Sequence, residues 1–168
     1  MYRSLKVNTL ATNPLFTTAE AKDFLKVDTT ADDTLIDNLI KAATQSCEEY
    51  TNQYFMDTLV TQYSDNWLEV YRLYKSPVSA ITHIKYYDSN DSLQTLASAN
   101  YILDDASKPA RIGLAVDGTL PSLADRINAV EVKYTVGYGT ASTDVPDGIK
   151  QAVLLTIGNL IVTGKQYI

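Results

Sequence analysis

The chain has 168 residues, 45% of them hydrophobic, with a net charge of −6 and an isoelectric point near 4.6. That size and apolar content suit one domain, or one core carrying an elaborate insertion, and exclude wholesale disorder. The 14 Lys and Arg are scattered singly among 20 Asp and Glu, which excludes a basic nucleic-acid-binding surface as the main function.

Residues 1–16 carry Asn, Thr and Pro without a period and read as an extended N-terminal arm, either disordered or ordered by a neighbouring subunit. The opening Met-Tyr-Arg-Ser-Leu-Lys-Val-Asn lacks an apolar core of signal-peptide length, so export is not expected. Residues 17–56 read as the helical part. Thr17-Thr18-Ala19-Glu20 and Thr30-Ala31-Asp32-Asp33 both fit the capping box, in which two side chains satisfy orphan N–H groups of a first helical turn. After the second box, Ile36, Ile40, Ala43, Cys47, Tyr50 and Tyr54 recur at steps of four and three. These steps place them on one face of a long helix, flanked by Leu35 and Leu39. The opposite face carries Asp32, Asp37, Lys41, Gln45, Glu48 and Gln53. Glu48 and Glu49 are about 100° apart on a helix, so they are not a facing carboxylate pair.

Residues 57–138 change to short alternating segments and read as an inserted β-module. Thr58–Ser64 and Trp67–Tyr74 are expected to be a strand pair around Ser64-Asp65-Asn66. Ala80–Asp88 and Leu93–Leu96 form the next pair, with Ser89-Asn90-Asp91-Ser92 as their turn. Tyr101–Asp104 and Arg111–Val116 are further short strands. In Asn128–Val136 the residues Val130, Val132, Tyr134 and Val136 face one side, while Glu131, Lys133 and Thr135 face the other. That pattern suits a sheet with one solvated face.

Residues 139–163 read as a C-terminal helix packing on the helical part, with 164–168 as a short tail. Pro146 suits a first helical turn, with Asp144 or Val145 at the cap. Ile149, Val153, Ile157, Leu160 and Ile161 form the core stripe. Leu154, Leu155 and Val162 lie off it, so this helix is expected to be covered on two sides. The run from Ile149 to Val162 falls short of the ~20 residues needed to span a bilayer and contains Lys150, Gln151 and Asn159. The fold class that follows is α+β: a helical bundle from the N- and C-terminal helices, with an inserted antiparallel β-module.

The residues offer little chemistry. The lone Cys47 excludes an internal disulfide framework and fits a reducing compartment. The lone His83 sits in a strand and reads as structural, since a nucleophile–His site would need a tertiary partner. One His and one Cys cannot supply a zinc site of N and S ligands. Asp88-Ser89-Asn90-Asp91-Ser92 resembles the start of a calcium loop. Leu93 and Ala99, however, occupy the positions that need glycine and glutamate, so it reads as a hairpin turn. Gly137-Tyr138-Gly139 lacks the third glycine and the βαβ unit of a phosphate loop and reads as a turn out of the sheet. No catalytic, cofactor or metal residue is assigned. Twelve Tyr stand against three Phe and one Trp. Tyr63, Tyr71, Tyr86, Tyr87, Tyr101 and Tyr134 are explained first by strand propensity, with burial against a partner as the other reading.

The order of these features resembles the head–tail connector (adaptor, or head-completion) proteins of long-tailed bacteriophages. The phrase is carried by Thr18, Glu20, Ala21, Lys22, Leu25, Val27 and Asp28. It continues through Asp33, Ile36, Ile40, Ala42, Ala43, Glu49, Tyr50 and Thr51. Ser76-Pro77-Val78 is similar to the family's middle, and Gly137-Tyr138 with Val145-Pro146 and a closing helix to its end. The resemblance implies a non-enzymatic virion protein at the head–tail junction, assembled in the host bacterial cytoplasm. It also implies a ring, usually twelve-fold, that docks below the portal, extends the DNA channel and offers a platform for the next neck or tail protein. DNA would pass without sequence-specific binding, and neither a cofactor nor a membrane is implied. Because the family's C-terminal segment commonly contacts the portal, the interface is expected at Leu154, Leu155, Leu160, Ile161, Val162, Lys165, Gln166, Tyr167 and Ile168. The Arg-containing ending seen in relatives is absent. The alternatives are a stopper or tail-completion protein of the neck, which would be β-dominated without the first helical phrase, and a non-viral soluble binding module.

Overall fold

A computed structural model describes residues 4–165. In chain order the elements are β1 (Ser4–Thr9), α1 (Thr18–Leu25), α2 (Asp33–Thr51), β2 (Thr58–Ser64), β3 (Val78–Tyr87), β4 (Leu93–Thr95), β5 (Tyr101–Asp104), β6 (Arg111–Leu114), β7 (Val130–Val136) and α3 (Asp147–Lys165). Short 3-10 turns lie at Trp67–Tyr71, Ser98–Asn100 and Ser142–Asp144. Three helices and an antiparallel five-stranded sheet make the class α+β. The chain divides into two compact units: Met1–Leu10 with Asp57–Gly137, and Ala11–Met56 with Tyr138–Ile168.

The first unit is built on a sheet of order β1-β2-β7-β3-β4, antiparallel throughout. Its centre is β7, where Val130, Val132, Tyr134 and Val136 are all buried and the residues between them half-buried. The alternation read from the sequence is therefore real, and it turns the valines and Tyr134 into the core. Two sequence expectations fail here. The start of the expected N-terminal arm is instead edge strand β1, paired on β2 from Ser4 opposite Tyr63 to Thr9 opposite Leu59. Trp67–Tyr74 is not the partner of β2, which pairs with β1 and β7. It opens as a 3-10 turn because its side chains find tertiary partners that a strand would not reach. The Trp67 indole N–H donates to the Pro121 carbonyl at 2.8 Å, its ring lies 5.5 Å from that of Tyr86, and Leu73 is fully buried.

Gln62 ties this segment down. Its side chain is 1% exposed, and its amide donates to the Arg72 carbonyl at 3.1 Å. Its carbonyl accepts the Tyr74 N–H at 3.0 Å and the Tyr134 hydroxyl at 3.3 Å. A buried amide with three partners stabilises where an unpartnered one would cost free energy.

Strands β5 and β6 form a separate two-stranded ribbon, Tyr101 opposite Leu114 and Asp104 opposite Arg111. A strap over residues 115–129 then returns to β7. It is held by Arg126, which donates to Asp91 at 2.7 Å and lies 3.7 Å above the Tyr87 ring. The Asn128 N–H also donates to the Asp65 carboxylate at 2.7 Å.

The second unit has one core cluster drawn from all three helices, with Ala21, Ile36, Ile40, Ala43, Val153 and Ile157 buried beside Leu15, Phe16, Phe55, Met56 and Val145. Each fully buried Ile contributes roughly 1.5–3 kcal/mol over leaving it exposed. The α1 capping box forms as read: Thr17 Oγ1 accepts the Glu20 N–H at 3.2 Å, and Glu20 accepts the Thr17 N–H at 2.8 Å. The second box does not form. α2 starts from Asp32, whose backbone is not extended and whose side chain makes no cap bond. The Asp33 carboxylate is taken by Lys22 at 2.7 Å instead.

The apolar face of α2 also ends earlier than its periodicity predicts. Ile36, Ile40 and Ala43 are buried and Cys47 is half-buried, with its Sγ 3.6 Å from Thr156 Oγ1 of α3. Tyr50 is 93% exposed, however. At α3 the Pro146 carbonyl accepts the Ile149 and Lys150 N–H groups, so Pro146 itself stands at the cap. Asp144, expected as a cap, closes the preceding 3-10 turn by accepting the Ala141 N–H at 3.0 Å.

Candidate functional site

The residues that stood out chemically do structural work. His83 of β3 lies 3.1 Å from Glu131 of β7 as a cross-strand pair. Asp88 closes the β3–β4 turn by accepting the Asn90 and Ser92 N–H groups. The Ser92 N–H first, then that of Asn90, holds this carboxyl below its ordinary range. Gly137 and Gly139 adopt φ of 139° and 156°, conformations glycine tolerates best. A Cβ on Gly139 would fall 2.1 Å from the Asp144 carboxylate. The Tyr138 hydroxyl donates to Gln53 at 3.1 Å and its N–H to the Phe55 carbonyl at 3.0 Å. Tyr138 is thus packed on the second unit rather than left open to a phosphate. Among the described residues no group of three or more His, Cys, Asp and Glu is placed to hold a metal ion, and no helix is long and apolar enough to cross a membrane.

The acidic α1–α2 corner borders an open polar hollow of about 420 Å³ lined by Thr18, Lys22, Asp23, Asp28 and Asp33. Some of its polar side chains are already engaged. Thr18 Oγ1 donates to Asp37, and Lys22 pairs with Asp33. In the first unit a second hollow is apolar, with room for only about 40 Å³, between Trp67, Ile84, Leu96, Tyr101 and Ile112. Small-molecule pockets usually hold roughly 300–1,000 Å³. The apolar hollow is far smaller than that, while the polar one falls within the range.

Exposed apolar side chains are spread over both units, with Leu10, Leu68, Val116 and Ile127 among the most exposed; two groups of them share a face or a rim. The first is α3. Of the predicted interface residues, Ile161 is buried, and Leu154 and Leu160 pack part-buried against the core. Leu155 and Val162, seven residues apart and so on one face, are 59% and 58% exposed. Gln151, Ala152 and Asn159 share the outward side, and no residue from 151 to 162 is ionisable. Lys165 is described only as the last backbone position of α3. Gln166, Tyr167 and Ile168 lie outside the described residues.

The second is the rim of the apolar hollow, where Tyr71, Leu114 and Leu120 are roughly half exposed. The sequence gives no sign of it, because Tyr71 lies far along the chain from Leu114 and Leu120. Exposed Tyr50 was likewise missed, since its helical phase predicts burial.

A family model described as head completion protein matches residues 14–158. The fold is similar to three solved chains. One lies in the neck of an empty gene transfer agent (GTA) particle computed with C6 symmetry, at TM-score 0.77 and 21% identity over 93% of this chain and 82% of that one. Another belongs to the virion of the native GTA particle, at TM-score 0.78 and 22% identity over 92% and 82%. The third lies in the neck of the native GTA particle computed with C12 symmetry, at TM-score 0.73 and 22% identity over 93% and 81%. No curated protein matches the sequence.

Proposed function

Because this chain belongs to the head completion protein family, we propose that it is a structural protein of the virion neck, a head–tail adaptor. Its protomers form a ring below the portal, twelve-fold like the symmetry of a neck it resembles in fold. The ring extends the DNA channel and gives the next neck or tail protein its docking platform. The carrying observation is the span of the family match, 14–158, which covers α1, α2, every strand from β2 to β7 and the first part of α3. The helices act as a bundle from which the sheet unit is inserted, and binding rather than catalysis is the work of the molecule.

The portal-facing surface is α3, through Leu155 and Val162 with Leu154, Leu160 and Ile161 beneath them and residues 165–168 beyond. The supporting observation is an exposed, uncharged helix face on a unit with ten carboxylates and five basic side chains. Charged groups are depleted from the cores of protein interfaces for desolvation reasons. An acidic inner wall would let DNA slide rather than stick.

The test is to mix the purified protein with the portal of the same genome and image the product by electron microscopy. A closed ring under the portal is expected. A protein that ignores the portal and joins tail components would move the chain to the stopper or tail-completion class.

A further inference from the structure

A cyclic ring needs two different patches on each protomer, each complementary to the other. We propose that these are Tyr50 of one protomer and the apolar hollow of the next, with Glu49 set against Arg72. The inference rests on the ring reading above.

The receiving patch is apolar, with Tyr71, Leu114 and Leu120 half exposed at its rim. Its room of about 40 Å³ is too small for a ligand. A flat aromatic ring laid across that rim would cover it. Beside the hollow, Arg72 and Arg111 are bridged as neighbours on adjacent backbones. Arg111 is neutralised by Asp104, at 2.9 and 2.5 Å. Arg72 is exposed and, among the described residues, no carboxylate is paired with it. The receiving patch is therefore a shallow apolar rim flanked by a cation.

The inserting patch has the complementary chemistry. Tyr50 is 93% exposed in the last turn of α2. Next to it the exposed Glu49 carboxylate is steadied by the Gln45 amide at 2.9 Å. Tyrosine and arginine are the residue types that most often dominate interface energetics. An Arg–carboxylate pair beside a buried aromatic fixes register as well as strength. Because the two patches belong to different elements, the contact is head to tail and propagates around a ring.

The test uses full-length Y50S, L114K, R72E and E49K, with circular dichroism melts to establish that each is folded, and portal complexes read by electron microscopy. Wild type should form closed rings, and Y50S and L114K should each lower ring yield by at least about tenfold. An equimolar mixture of Y50S and L114K retains one good contact per pair, so paired protomers without closed rings are expected. The E49K/R72E double variant should recover rings that each single charge reversal loses. Closed rings from Y50S or L114K alone would overturn the inference and leave the neck reading standing. A folded wild type that makes no ring on the portal would overturn both.

Discussion

Replacing Gln62 by leucine should unseat the segment that carries the 3-10 turn and Arg72. Leucine nearly matches the glutamine in size, so little cavity forms and the loss is one of hydrogen bonds. Three groups lose a partner in a site that is 1% exposed: the Arg72 carbonyl, the Tyr74 N–H and the Tyr134 hydroxyl. Withdrawing a partner from a buried polar group costs roughly 1–3 kcal/mol each, and burying the leucine returns about 2 kcal/mol, so a net loss of at least about 1 kcal/mol is expected. The assay is urea denaturation followed by the fluorescence of Trp67, the single tryptophan, which sits on the affected segment. Y134F alone should cost about 1 kcal/mol. Q62L/Y134F should be about 1 kcal/mol less destabilised than the sum, because both single variants lose the same Gln62–Tyr134 bond. A Q62L midpoint within a few tenths of a molar of wild type, or strict additivity, would refute the claim that this amide organises the unit.

At α1, Thr17→Ala should cost about 1 kcal/mol in thermal melts through loss of the N-cap bond. The Glu20 carboxyl is held below its ordinary range by the Thr17 N–H first and then the Thr17 hydroxyl. Its contribution is therefore fully present above the unfolded value of about 4.3 and is lost as pH falls through the lower folded value. The stability gap between wild type and Glu20→Gln should accordingly close between pH 5 and 3; a gap constant over that range would contradict the box. Gly139→Ala should destabilise by about 1–3 kcal/mol, since the positive φ and the Asp144 carboxylate 2.1 Å from the new Cβ both oppose it. Leu155→Ser with Val162→Ser should leave the melting curve within about 0.5 kcal/mol of wild type, as both are exposed. The same double variant should abolish sedimentation with the portal, and undiminished portal binding would remove α3 as the docking face.

How much of this was legible in the sequence depends on whether local or distant chemistry decides each element. The alternation of β7, the Thr17–Glu20 box and the stripe Ile36–Ile40–Ala43 are local, and all three form. The Thr30–Asp33 box matches the same pattern, yet Lys22, eleven residues upstream, claims the Asp33 carboxylate. Strand β1 leaves no local trace because its order comes from β2, Ser4 lying opposite Tyr63. Trp67–Tyr71 alternates well enough for a strand, but the Pro121 carbonyl fixes its indole elsewhere. Tyr50 continues the helical phase of a buried face, while the core that would cover it has already ended.

The same distinction separates the family phrase from the docking surfaces. Thr18 bonds Asp37, Ala21 is fully buried, Lys22 pairs with Asp33, and the Val27 N–H donates to the Lys22 carbonyl past a left-handed Lys26. Those residues build the turn between α1 and α2, so recognising them identifies the scaffold and says little about what the scaffold touches. The contacts depend on what the finished fold leaves uncovered. On α3 that is a face where Leu155 and Val162 stand among uncharged neighbours on an otherwise acidic unit. Such a face can be covered by a partner without stripping water from a charge, which is why it is the proposed docking surface rather than the acidic remainder of its unit.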